Sequence, residues 1–169
     1  MNTEKNYSLV VRPIKKEDNT AIAGIIRKTL EEYNSALPGT AYFDKSLDDM
    51  YEAYQKKGEI YYVALLDGEI IGGAGIGKLV EEGGRFCELQ KMYILPKARG
   101  KGVGRKLMEQ CLEFAREAGY EKCYLETFSY MQAALKLYIK TGFYLLSKPK
   151  GNTNHTACDV WMELSLKDL

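Results

Sequence analysis

A basic, glycine-rich turn is the part of this sequence whose residue types point most directly to chemistry. Residues 89–112 pass from a predicted strand through Arg99, Gly102 and Gly104, spaced R-x-x-G-x-G, into a predicted helix. Glycine allows positive φ and close approach of a ligand, so several backbone N–H groups and the positive end of the helix can face one anion. Five basic side chains surround the turn: Lys97, Arg99, Lys101, Arg105 and Lys106. This predicts a site for a ligand with more than one phosphate; the alternative is a tight connection with solvated charges.

Two familiar phosphate-binding loops do not fit this turn. A Walker-type loop requires G-x-x-x-x-G-K-[ST], and no glycine in the chain is followed by Lys and then Ser or Thr. A dinucleotide fingerprint requires G-x-G-x-x-G, whereas Gly100, Gly102 and Gly104 are spaced G-x-G-x-G. A nucleotide-binding module of another sort is therefore disfavoured.

A second motif follows about 40 residues later, where residues 134–143 read ALKLYIKTGF and place Tyr138, Gly142 and Phe143 in the spacing Y-x-x-x-G-F. Together with the apolar, proline-ended strand 93–96 before R-x-x-G-x-G, this block resembles the GCN5-related N-acetyltransferase (GNAT) family. The hallmark of that family is [QR]-x-x-G-x-[GA] after such a strand. The two motifs lie in the family's order, and the resemblance covers nearly the whole chain.

The resemblance implies the acyl-CoA N-acyltransferase fold, an α/β fold with a mixed, mostly antiparallel central sheet of about seven strands and helices on both faces. Hydrophobic periodicity and turn signals agree, because they give the order β-α-α-β-β-β-α-β-α-β-β. Asp18 and Asp44 are predicted N-caps of the first two helices, the second running to about Lys57. The predicted strands are 7–12, 59–66, 69–79, 86–95, 122–128, 143–147 and 158–166, with turns at Asp67-Gly68 and 81–84.

The resemblance also implies acetyl-CoA as co-substrate and no metal. In the family the motif strand splays from its neighbour, so that unpaired amides face the cofactor. By position, the N–H of Met92 would bind the acetyl carbonyl and that of Ile94 the pantetheine arm, with the pyrophosphate on the amides of about 101–104. The cofactor-binding residues are then Met92, Ile94, Arg99, Gly100, Lys101, Gly102, Val103, Gly104 and Arg105.

A proton acceptor is needed because an amine with a pKa near ~10 is mostly protonated at neutral pH. Glu88 lies four residues before Met92, where histone-acetylating family members carry a glutamate base. Phe86, Glu88 and Met92 are expected on one face of a regularly alternating strand. Glu126 on the neighbouring strand is the reserve base. The alternative is that Glu88 is a solvated or salt-bridged strand residue.

An acid is needed for the departing thiolate, and Tyr138 occupies the position of the family's motif tyrosine. Its phenol could protonate the sulfur as the tetrahedral intermediate collapses. The alternative is a helix tyrosine that packs its ring on the sheet.

The acceptor side is marked more weakly in the sequence. His155, the single histidine, lies in a polar loop that borders the acceptor in the family, although a lone loop histidine is usually a surface residue. Several acidic residues in the first two helical segments could attract a cationic amine but are expected to be solvated: Glu31, Glu32, Asp44, Asp48, Asp49 and Glu52. Four tyrosines of the same region could line the acceptor pocket or simply pack: Tyr33, Tyr42, Tyr51 and Tyr54.

The composition sets further bounds. The 169 residues fit one domain spanning 1–169, and 24 basic against 23 acidic side chains predict no general attraction to nucleic acid or membranes. No apolar run approaches the ~18 residues of a membrane span, and the first residues lack a signal-peptide core, so a cytoplasmic location is expected. Four cysteines without C-x-x-C spacing predict reduced thiols in or near the core: Cys87, Cys111, Cys123 and Cys158.

These observations favour an acetyl-CoA-dependent N-acetyltransferase that acts on a primary amine of a small molecule, peptide or protein by direct attack in a ternary complex. The alternative is a non-catalytic module that senses or binds acyl-CoA on the same fold, which Tyr138 and Glu88 argue against. The sequence leaves the acceptor, the acyl-chain preference and a homodimer open.

Overall fold

Within the described residues, seven strands form one mixed sheet in the order β1-β2-β3-β4-β5-β7-β6. The structure is a computed structural model that describes residues 6–80, 85–167 and 169, so the turn predicted at 81–84 lies outside the described residues. All neighbouring strands are antiparallel except β4 and β5, which are parallel. The strands are β1 (Leu9–Pro13), β2 (Ile60–Leu66), β3 (Glu69–Leu79), β4 (Phe86–Ile94), β5 (Lys122–Thr127), β6 (Tyr144–Leu145) and β7 (Val160–Ser165).

The part of the chain that the structure describes has four α-helices, which cover the two faces of this sheet: α1 (Asn19–Glu32), α2 (Met50–Ala53), α3 (Val103–Glu117) and α4 (Gln132–Thr141). Helices α1 and α2 pack into one apolar core around Ile22, Leu30 and Met50. Helices α3 and α4 pack into the other core, with Leu107 and Tyr138 against the opposite face of the sheet. The predicted fold class and element order are therefore confirmed. No described helix is long and apolar enough to cross a bilayer.

The periodic pattern of α3 explains its packing. Val103, Leu107, Cys111 and Ala115 recur every four residues, and all four are buried against the sheet. Gly142 ends α4 with φ 111°, which is the left-handed cap that the Y-x-x-x-G-F spacing predicts. Cys87, Cys111, Cys123 and Cys158 are free thiols, the first three buried and the last half-buried, as predicted.

Of the two predicted helix caps, Asp18 does occupy the N-cap position of α1, whereas the cap at Asp44 was wrong. The Asp18 side chain does not cap α1; its carboxylate instead accepts hydrogen bonds from the Arg12 guanidinium and the Lys15 amide. The predicted helix from Asp44 to Lys57 is replaced by one short 3-10 turn, Leu47–Asp49, and the single-turn α2; a further 3-10 turn, Ala41–Phe43, precedes Asp44. Asp44 has an extended backbone with ψ 128°, and its carboxylate makes long-range contacts that local propensity cannot anticipate.

The C-terminal strands are shorter than predicted. Strand β6 has two residues and β7 begins at Val160, so residues 146–159 form a long connection between them. This connection, the β6–β7 loop, lies beside β4 and β5, with Lys150 over the ring of Phe86 at the start of β4 and Thr153 at Glu126 near the end of β5. Three of its side chains reach neighbouring acidic groups: Lys150 to Glu163, Thr153 to Glu126 and His155 to Asp44. It is thereby fixed beside the centre of the sheet.

Candidate active site

The sheet forks between β4 and β5. The two strands pair at Phe86, Cys87 and Glu88 with residues 122–124, and no further pairs join them within the described residues. Beyond Glu88 the strands diverge, which opens a space at the carboxyl ends of two parallel strands. This is the splay that the family resemblance implied.

Two backbone amides of β4 face the fork. The N–H of Leu95 donates to the carbonyl of Ile71 on β3 at 2.9 Å. Because N–H directions alternate along an extended strand, the amides of Ile94 and Met92 point away from β3, toward the gap. Both residues flagged in the sequence therefore present donors to the open space.

The glycine turn closes one end of a groove of about 300 Å³ that leads into the fork. Gly100 and Gly102 have φ of 74° and 77°, and Gly102 precedes the first residue of α3. Gly104 lies in close packing instead: a Cβ there would lie 3.1 Å from Leu137 and 3.3 Å from Ile94, so these side chains would have to shift by a few tenths of an ångström. The first-turn amides of α3 have no intrahelical acceptor, so the groove ends in N–H donors suited to an anion.

The basic side chains of the turn all have partners within the protein. Arg99 makes a bidentate ion pair with Glu32 at 2.7 and 2.9 Å, and its Nε donates to the carbonyl of Ile94. Lys97 pairs with Glu69, and Arg105 with Glu109. Lys101 donates to the Lys97 carbonyl and Lys106 to the Leu9 carbonyl. The local positive field remains, but Arg99 in this arrangement ties the turn to α1.

A bulge in β4 overturns one prediction. The register with β3 shifts by one residue between Gln90 and Tyr93, and Lys91 between them has φ 49°. Glu88 and Gln90 therefore face the α1 and α2 side, where Gln90 accepts a hydrogen bond from Tyr54, while Met92 packs into the core on the opposite face. The expectation that Phe86, Glu88 and Met92 share a face was wrong, because the extra residue shifts the alternation.

Glu88 is the buried carboxyl at the fork, with 5% of its surface exposed. The Gln90 side-chain amide donates to it at 2.7 Å. Burial, which disfavours the charged form, raises the pKa of Glu88 to about 7; the hydrogen bond from Gln90 opposes this rise, and the charge of Glu126 adds to it. A carboxyl with this pKa can take up and release a proton near neutral pH.

Glu126 and His155 lie beside Glu88. One ligand atom from each of the three residues falls within 4.8 Å of the others. Glu126 accepts hydrogen bonds from the hydroxyls of Tyr124 at 2.7 Å and Thr153 at 2.6 Å. This group of two carboxylates and an imidazole could hold an ammonium group, and its donor types would also suit a divalent cation.

Asp44 is a site residue whose position the sequence did not reveal. Its carboxylate lies 2.7 Å from Lys91 Nζ and 3.0 Å from His155 Nε2. Burial opposes its ionisation, but the hydrogen bond from His155 and the charge of Lys91 outweigh this and lower the pKa of Asp44. The expectation that Asp44 is solvated was therefore wrong. Asp48 and Glu52 agree better with that expectation, since both lie at the surface in pairs with Arg27 and Lys16.

Tyr138 separates the two halves of the site. It lines both the groove that ends at the glycine turn and a smaller chamber of about 60 Å³ that contains Glu88, Glu126 and His155. Its ring packs on Phe143 at 6.0 Å, and burial raises the pKa of its phenol, which therefore keeps its proton at neutral pH. Packing and chemistry are compatible at this position.

An open parallel fork, a glycine turn at a helix N-terminus and a buried tyrosine between groove and carboxyl chamber define an acyl-CoA N-acyltransferase architecture. The sequence profile of the acetyltransferase (GNAT) family matches residues 18–143. The chain belongs to this family and is an N-acetyltransferase.

Relatives and solved structures agree. The chain is 41% identical over 163 residues to the uncharacterized N-acetyltransferase YjgM of Escherichia coli, covering 96% of this chain and 98% of the relative. Over 126 residues it is 32% identical to rat N-acetylaspartate synthetase, covering 72% of this chain and 41% of the synthetase. A GNAT acetyltransferase from Staphylococcus aureus superposes with a TM-score of 0.83 at 17% identity, covering 94% of this chain and 99% of that one. The yncA protein from Salmonella typhimurium, solved with acetyl-CoA, superposes with a TM-score of 0.75 at 26% identity over 94% of each chain.

Proposed function

We propose that this protein transfers the acetyl group of acetyl-CoA to a primary amine by direct attack in a ternary complex. The observation that carries the proposal is Tyr138, which lines both the groove and the chamber of Glu88. A thioester reaching the fork from the groove and an amine reaching it from the chamber would meet beside this hydroxyl.

The cofactor would lie along the groove. Its pyrophosphate would accept hydrogen bonds from the amides of about 101–104, where the dipole of α3 favours negative charge. The pantetheine arm would follow β4 and pair with the N–H of Ile94. The N–H of Met92 would then polarise the acetyl carbonyl and stabilise the oxyanion that forms on attack.

Glu88 would act as the base, directly or through water. It takes one proton from the acceptor ammonium, and the free amine attacks the thioester carbon to form a C–N bond. The tetrahedral intermediate collapses as the C–S bond breaks, and Tyr138 protonates the thiolate. The second amine proton leaves as the amide forms and restores the phenol through solvent. Glu126 would keep the chamber anionic and draw in the cationic acceptor.

The acceptor would enter past Asp44, Lys91 and His155, which border an outer opening next to Glu88. The inner chamber is small, so it would take the amine-bearing end of an acceptor whose remainder stays in the opening. Small molecules and protein termini both meet this requirement. The names of similar proteins span both kinds, from N-acetylaspartate synthetase to a ribosomal-protein-alanine N-acetyltransferase of Brucella melitensis with a TM-score of 0.73.

A thiol-release assay with acetyl-CoA, run over a panel of amino acids, polyamines and peptides, tests the proposal. We expect release that depends on one class of amine and an acetylated product of the corresponding mass. Calorimetry on the same preparation measures acetyl-CoA binding. Tight binding without transfer to any amine would support the non-catalytic acyl-CoA-binding alternative instead, and absence of binding would overturn both.

A further inference from the structure

Thr29 carries the one buried side-chain polar atom that lacks a hydrogen-bond partner among the described residues, its Oγ1. The residue is 4% exposed, lies on α1 and lines the groove assigned to acetyl-CoA. A helical threonine commonly bonds to the carbonyl four residues earlier, but Thr29 does not. An unpaired buried hydroxyl destabilises a fold, and threonine adopts two side-chain rotamers in a helix, so rotation about the Cα–Cβ bond of Thr29 would turn this buried oxygen toward a partner in the groove.

We propose that the Thr29 hydroxyl forms a hydrogen bond with an amide of the pantetheine arm of acetyl-CoA. The proposal rests on the proposed function, since it takes this groove as the cofactor site. A hydroxyl can both donate and accept, so it can pair with either the N–H or the C=O of an amide. The groove walls near Thr29 are mainly apolar, including Ala98, Val103 and Leu137, which suits an arm with few polar groups.

The proposal assigns Thr29 to the arm rather than to the nucleotide. Glu32, about one turn after Thr29 on α1, forms an ion pair with Arg99, and Arg99 in turn donates to the carbonyl of Ile94 at the end of β4. Thr29 therefore lies about 4.5 Å along the helix axis from a residue that is tied to the end of β4, the strand that the arm would follow.

The test uses Thr29→Val, which keeps the shape and removes the hydroxyl. We expect the Kd and the KM for acetyl-CoA to rise about three- to tenfold, because one hydrogen bond of ordinary strength is lost. The kcat should be nearly unchanged. Binding of S-acetylpantetheine should weaken by the same factor, while binding of the adenosine bisphosphate half of the cofactor should not change. The ligand-free variant should melt at the wild-type temperature or slightly above it, because no intramolecular bond is lost.

Two further variants separate the alternatives. Thr29→Ser keeps the hydroxyl and should bind acetyl-CoA as the wild type does. Thr141→Val is the matched control, because the Thr141 hydroxyl donates to the Leu137 carbonyl at 2.8 Å within α4; it should lower Tm and leave the Kd unchanged.

Wild-type affinity in Thr29→Val would overturn the proposal, as would a fall in Tm like that of Thr141→Val, since the hydroxyl would then have a partner inside the protein. Failure of the wild type to bind acetyl-CoA would overturn the proposed function itself and this inference with it.

Discussion

Replacing Glu88 by Gln should alter the pH dependence of both stability and catalysis. The substitution keeps the shape of the side chain and removes its charge. Because burial raises the pKa of Glu88 from 4.5 to about 7, the folded protein holds a proton that the unfolded chain releases between these values. The resulting stability is fully present below pH 4.5 and is lost as the pH rises through about 7.

The size of the effect follows from the same values. Each unit of pKa difference between the folded and unfolded states is worth about 1.4 kcal/mol of unfolding free energy. The difference between 4.5 and about 7 for Glu88 therefore corresponds to at most about 3 kcal/mol. For a chain of 169 residues this is a Tm difference of about 6–12 °C at most. Melting curves from about pH 5 to pH 8 should therefore show the wild type losing stability relative to Glu88→Gln as the pH increases.

Catalysis should respond at the same pH. Because the base has a pKa of about 7, kcat/KM of the wild type should rise through neutral pH as Glu88 loses its proton. The Glu88→Gln variant should lack this inflection, and its rate should be about 10²- to 10⁴-fold lower. Thiol release at saturating acetyl-CoA measures both. Calorimetry should show nearly unchanged acetyl-CoA affinity.

Glu126→Gln is the matched control for this experiment. The charge of Glu126 raises the pKa of Glu88, so its removal should move the inflection to lower pH without abolishing it. A Glu88→Gln enzyme with a full rate and an unaltered pH profile would refute the assignment of the base, even if its melting curves changed as expected. Glu126 or bulk water would then take that role.

Three other perturbations address the remaining parts of the site. Tyr138→Phe keeps the packing on Phe143 and removes the proton, so turnover should fall roughly ten- to a thousandfold with little change in Tm; wild-type turnover would make Tyr138 a packing residue. Gly102→Asp strains a position with φ 77° and puts a negative charge beside the backbone amides that would bind the pyrophosphate. Calorimetry should therefore show severely weakened acetyl-CoA binding, and unchanged affinity would contradict the placement of the phosphate site. EDTA should leave activity unchanged, because the carboxylates of Glu88 and Glu126 already accept hydrogen bonds from the side chains of Gln90, Tyr124 and Thr153. If EDTA abolished activity and a divalent ion restored it, these carboxylates and His155 would be assigned a metal.

The elements that the sequence predicted well are those whose signals are local. The four-residue repeat of α3 needs only its own apolar face, and the Asp67-Gly68 turn needs only two residues that tolerate positive φ. The left-handed cap at Gly142 is equally local. Because the family motifs consist of such signals, the groove and the position of Tyr138 could be predicted from the sequence.

Contacts between distant segments account for the wrong predictions at Asp44. Asp44 reads as a helix cap until Lys91 and His155, 47 and 111 residues away, compete for its carboxylate. Arg99 stays a predicted cofactor-binding residue, but nothing in the sequence indicates that its guanidinium pairs with Glu32 on α1. Thr29 gives no signal at all, since an unpaired hydroxyl is recognised only when its surroundings are known.

The bulge at Lys91 links these observations to the chemistry. A lysine with φ 49° costs about 1–3 kcal/mol, and the conformation is held by Tyr61, which donates to the Lys91 carbonyl at 2.8 Å, and by the ion pair with Asp44. In a regular strand the side chains of Met92 and Ile94 would lie on the face of Glu88 and crowd the acceptor chamber. The extra residue turns them toward α3 while their N–H groups still face the fork. Under the proposed function, one strand would thus present a carboxyl to the amine and amides to the thioester, with the strained residue between them.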